Sequence, residues 1–156
     1  MRLTFKILIF LLINLNVFAD IKQYEINGMS IGDSALNFYS EDELLKNQQN
    51  WFRQKSVKAS EFLKVGGTYN DIQLMYKKKD SAYTIEGISA LIYMDVNKCE
   101  NSLEEEALKI SSSFGSDLKK DYGKRKIKHN YDKSGKSFVI DKRYKFSNND
   151  ELIIAC

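Results

Sequence analysis

Two stretches of this chain alternate with a period of two, and that alternation sets the fold class. In residues 69–77 (YNDIQLMYK), Ile72, Leu74 and Tyr76 fall on one face, with Asp71, Gln73 and Lys77 opposite. In residues 138–146, Phe138, Ile140, Tyr144 and Phe146 fall together. A strand turns successive side chains to opposite faces, so each stretch can lay one face on a core. Turn residues follow both, KKKDS at 77–81 and SNND at 147–150, so the neighbouring strands are expected to return as hairpins. The first return, residues 83–96, is nearly all apolar after Gly87 and is expected to be a central strand covered on both faces. Residues 22–26 (KQYEI), 61–65 (EFLKV) and 151–156 are three further expected strands.

Helical signals sit between them. Ser102 and Glu105 have capping-box spacing, and Leu103, Ala107, Ile110, Phe114 and Leu118 then share one helix face, which Gly123 can end. Ser30 with Asp33, and Ser40 with Glu43, open two shorter helices. Residues 124–136 (KRKIKHNYDKSGK) read as a basic loop. The sum is an α+β fold, a mostly antiparallel sheet with helices packed on one face.

The N-terminus, MRLTFKILIFLLINLNVFAD, has Arg2 and Lys6 before a short apolar run and small residues at Val17 and Ala19. This is the pattern of a secretory signal peptide over residues 1–19, too short for a comfortable membrane span. Cleavage after Ala19 leaves a single domain, 20–156, with no stable membrane span and a periplasmic or secreted location. Removing Arg2 and Lys6 takes the formal charge from +3 to about +1. A near-neutral exported chain argues against nucleic-acid partners. The mature chain holds two cysteines, Cys99 and Cys156; an oxidising compartment would pair them within one chain, the alternatives being a bond between chains or two reduced thiols.

Two motifs imitate catalytic sites. Gly32-Asp33-Ser34 looks like the nucleophile block of GDSL-type esterases. Such an enzyme needs a histidine base held by an aspartate, but the sole histidine is His129, and Lys126 stands where the family's block has Asp. Capping of a helix explains the same residues. Gly135-Lys136-Ser137 resembles the end of a phosphate-binding Walker loop, but position 130 is Asn rather than Gly and a strand follows. No catalytic residue, metal site or cofactor is therefore assigned. His129, Asp132 and Lys136 remain the candidates for a ligand site, one His with one nearby Asp being short of the three or four ligands a metal needs. The Lys/Arg run from 119 to 136 could contact anions or acidic lipid, although Asp121 and Asp132 dilute it. Most aromatics fall at core positions; Trp51 and Phe52 follow the polar run NQQN and are expected at the surface.

Residues 25–44 (EINGMSIGDSALNFYSEDEL) resemble the opening of small secreted proteins of marine alphaproteobacteria with compact genomes. The stretches around Cys99, around His129 with DKSGKS at 132–137, and the final strand with Cys156 are similar to that family too. The resemblance covers most of the mature chain and implies export; it carries over no catalytic role, and it favours a use for His129, Asp132 and Gly135. A weaker similarity is to small outer-membrane assembly lipoproteins, which join a Gly-Met-Ser/Thr entry and two helices to an antiparallel sheet. The expectation is an exported, non-enzymatic binding or structural module with an envelope protein or envelope component as partner. A ligand site or enzyme around His129 and Asp132, or an outer-membrane assembly accessory, is the alternative.

Overall fold

Six strands in the computed structural model, which describes residues 21–52, 55–129 and 132–156, divide between two three-stranded antiparallel sheets. The first follows a short helix, α1 (Glu41–Lys46), and runs β1 (Val57–Leu63), β2 (Asp71–Lys77), β3 (Ile85–Leu91), in that spatial order. The second follows a long helix, α2 (Val96–Phe114), and runs β4 (Leu118–Lys128), β5 (Phe138–Phe146), β6 (Glu151–Ala155). Helix followed by a three-strand meander thus occurs twice, although the sequence shows no repeat. The α+β class is the observed one.

The alternation of β2 decides the first core. Ile72, Leu74 and Tyr76 are fully buried and pack with Met29, Ala35, Leu44, Phe62 and Ile85. Complete burial of a side chain such as Ile72 or Leu74 contributes roughly 1.5–3 kcal/mol. α1 is entered through a complete capping box: Ser40 Oγ accepts from the Glu43 N–H, and Glu43 accepts from the Ser40 N–H at 2.8 Å. Buried Ser60 Oγ donates to the Leu44 carbonyl at 2.6 Å. Its only proton is then used, so the Tyr76 hydroxyl, 2.9 Å away, donates to Ser60. This chain of bonds pins α1 to β1 and β2.

α2 lays the expected face, Leu103, Ala107, Ile110 and Phe114, inward. Ala107, Ile110 and Phe114 pack with Tyr144, Phe146 and Leu152 of the second sheet. Glu104 grips the sheet through Lys142 at 2.7 Å and Lys124 at 3.2 Å. Cys99 in the first turns of α2 is bonded to Cys156, just past β6, with Cα atoms 5.9 Å apart.

The segment before the helices joins the two cores. Ile21 is buried with the second cluster and Met29 with the first. Between them Tyr24 packs on Phe114 and donates to Glu106 at 2.6 Å. Burial, then the Glu106 bond, pushes the Tyr24 phenol far above its ordinary value.

Several expectations change. Residues 22–26 do not form a strand: Ile21–Gln23 is a 3-10 turn and Ile26 makes an isolated bridge to Met29. Their alternation is real, but no neighbouring strand among the described residues pairs with it. β3 is at an edge rather than in the centre, because β2 takes the middle. α2 begins at Val96, with Asp95 accepting from the Lys98 N–H, so Ser102 and Glu105 lie inside the helix. It ends at Phe114, and residues 118–128 form β4; Gly123, with φ 69°, serves a register shift there rather than a helix end. The expected leader, 1–19, lies outside the described residues.

Candidate functional site

The loop that holds His129, Asp132 and Lys136 is the hairpin between β4 and β5. His129 N–H donates to the Ser137 carbonyl at 3.1 Å and closes its base. The Asp132 carboxylate accepts from the backbone N–H of Ser134 at 2.8 Å and of Ser137 at 2.6 Å. Hydrogen bonds from Ser134 and Ser137 hold its carboxyl well below the usual aspartate range. Gly135, at φ 70°, completes the turn. Asp132 is thereby committed to shaping the loop, which is why an Asp-x-Ser-Gly pattern stands here. His129 and Lys136 are exposed, and two concavities described below are lined by other residues. The same hairpin answers the Walker resemblance: Gly135 joins two strands, not a strand to a helix.

Ser34, the serine of the esterase-like block, caps the 3-10 helix Ala35–Asn37, accepting from the Leu36 N–H and donating to the Ala82 carbonyl. Asp33 meanwhile accepts from the Ser30 N–H at 2.9 Å. The block ties the helix entrance to the turn before β3, where Ile85 donates to Asp33 and Gly32 donates to Ile85. The Ser34 hydroxyl is thus used in capping, and His129 lies on the other sheet's hairpin.

The expected basic loop is largely strand. β4 exposes Lys119, Lys120, Lys126 and Lys128 along an outer edge. Two of these ammonium groups rest on rings, Lys120 over Tyr122 and Lys126 over Phe138. Arg125 instead holds Asp141 through two bonds, one of 2.8 Å, with Asp141 buried. Charged side chains on an edge strand discourage pairing with other chains.

Two surfaces were not visible in the sequence. At the end of β3 and in the link to α2, Leu91, Ile92, Tyr93, Met94 and Val96 are all exposed, Tyr93 at 70%. The Tyr93 hydroxyl donates to buried Asp71, which also accepts from the Lys64 N–H, so the run is held in place rather than loose. An apolar run carries no sign of its location; it reads as core until the neighbouring strand is known. At the opposite end of the same sheet, a concavity of about 590 Å³ is lined by Lys55, Ser56 and Lys77 to Asp80. A smaller one of about 150 Å³ adjoins it through Lys78 and is lined by Gln48, Gln49, Asn50, Phe52, Val57 and Lys58. Trp51 is exposed nearby in sequence, as expected, with its ring N–H on Gln49.

No helix among the described residues is long and apolar enough to cross a membrane, and no group of three or more metal-ligating side chains occurs among them. The closed Cys99–Cys156 pair is compatible with an oxidising location. No protein-family model, curated protein or solved structure matches the chain.

Proposed function

We propose that this chain is an exported envelope protein, freed of residues 1–19, that acts as a non-enzymatic binding module for another protein. The observation that carries binding is the exposed run Leu91, Ile92, Tyr93, Met94 and Val96, which leads from the end of β3, an edge strand, into α2. Monomeric proteins rarely leave such a contiguous apolar patch in water. An edge strand also offers backbone donors and acceptors, which another polypeptide can satisfy and a lipid tail cannot. Export is supported by the leader pattern and by the cysteine pairing.

The test is the mass and the company of the protein isolated from the native envelope. A chain starting at Asp20, with both cysteines protected until reduction, and eluting with a different polypeptide, is expected. Ile92→Lys with Met94→Lys should release that polypeptide while the fold persists. A full-length chain with free thiols, or a wild-type protein that elutes alone, counts against the proposal; elution as a homodimer replaces the partner with a second copy.

A second reading, an outer-membrane assembly accessory, is favoured by the order of elements over residues 35–91. A 3-10 helix, a short helix and a three-stranded meander follow the Gly28-Met29-Ser30 entry. Cofractionation with the assembly machinery supports it, and a purely soluble pool sinks it.

A further inference from the structure

The two adjoining concavities at the β2–β3 turn have a charge pattern that their neighbours do not cancel. Five lysines line them: Lys55, Lys58, Lys77, Lys78 and Lys79. Lys77 is engaged, pairing with Glu86 at 3.1 Å. The one carboxylate in the lining, Asp80, is turned to its own loop. It accepts from the N–H groups of Ala82 and Thr84 and from the Thr84 hydroxyl. Among the described residues no carboxylate lies within ion-pair distance of Lys55, Lys58, Lys78 or Lys79.

The arrangement is also fixed. Lys78 N–H donates to the Ser56 carbonyl at 2.9 Å, which ties the turn to the chain entering β1. The Gln49 N–H bonds the Ala59 carbonyl at 2.8 Å and fixes the polar wall. Like charges gathered on one concave surface raise the local potential and concentrate counter-ions there. The basic edge of β4 differs: two of its lysines cover rings, and its arginine is spent on Asp141.

We propose that this cleft binds a polyanion carrying several phosphates on one scaffold. The four ammonium groups without acidic partners would contact the phosphates. The amides of Gln48 and Asn50 would supply donors for the oxygens that the lysines leave, while the Gln49 amide is engaged with Asn47 and Trp51. A single phosphate could engage only part of so open a site, so multivalency is part of the assignment. Neither export nor the apolar run at the sheet's other end enters this inference.

The test uses the protein as isolated from its native cells, with its disulfide closed, at low and moderate salt. Two probes separate the sources of phosphate: a short inorganic polyphosphate, and phosphatidylcholine vesicles with or without phosphatidylglycerol. Changing Lys55, Lys58, Lys78 and Lys79 to Gln should weaken binding by about fivefold per lysine, roughly six hundredfold together. Changing Lys119, Lys120, Lys126 and Lys128 to Gln removes equal charge and should leave most of the affinity. Binding of polyphosphate supports the proposal; binding of the anionic vesicles alone, whose headgroups carry one phosphate each, replaces the single scaffold with a membrane surface and overturns it. Equal losses in the two variants, or no binding of either probe at low salt, overturn the proposal.

Discussion

At the scale of single residues, stability depends on polar groups whose bonds are fully used. Ser60 is the clearest, since removing its hydroxyl orphans both the Leu44 carbonyl and the Tyr76 hydroxyl. Ser60→Ala should lower unfolding stability by about 2 kcal/mol, read as a shifted urea midpoint with an unchanged slope. The acids behave as a set. Asp71 is held below its ordinary value of 3.8 by the Tyr93 hydroxyl and then the Lys64 N–H. Asp80 is lowered by Thr84 and then Ala82. A carboxyl with a lowered folded pKa stabilises the fold above its unfolded pKa and loses that contribution as pH falls through the folded one. Acid unfolding should therefore set in below about pH 4. Tyr93→Phe should raise the Asp71 pKa, seen by carboxyl NMR titration, and flatten the acid limb. Tyr83 has the opposite sign: bonding to Glu41, then burial, pushes its phenol up to about 12, so its share is lost only as pH rises through that value. Residue-level signals were legible where the partner is local, as at Ser40 and Glu43. Asp71 with Tyr93 was not, because those residues meet only through the sheet.

At the scale of elements, legibility follows how much of the cause lies inside the element. β2 and most of β5 alternate because each buries one face, so their sequences suffice there; Phe138, expected on the core face, is exposed at the start of β5 with the Lys126 ammonium on its ring. β4 is a strand despite being rich in lysine; its pairing to β5 from Leu118 to Lys128 holds it, and nothing within it announces a strand. β3 failed differently, since its apolar content was read as burial on two faces when the apolar end is exposed. Position in the sheet order, not composition, decides that. The Cys99–Cys156 pair was legible from parity and compartment. Reducing it should lower stability by up to about 4 kcal/mol for a loop of this length, measured by thermal unfolding with and without reductant. Phe114, buried between Tyr24 and Phe146, is the keystone of α2. Phe114→Ala should cost about 3–5 kcal/mol, with amide exchange rising across α2 and the second sheet before the first.

At the scale of the whole molecule, two cores share one strap. Ile21 and Tyr24 belong to the core of α2 and the second sheet, and Met29 to the other. Cooperativity between the cores should depend on this strap. Tyr24→Ala is expected to divide a single calorimetric transition into two, the second core melting first; an undivided transition would show that the cores are coupled elsewhere. The cysteine bond has a further consequence, a mechanical one. An antiparallel edge strand pulled from its free end unzips one hydrogen bond at a time. Here Cys156, just past β6, is tied to α2, so tension applied at Cys156 passes through sulfur into the helix and bypasses β6. A force that would peel an untethered strand must instead drag a helix off its sheet.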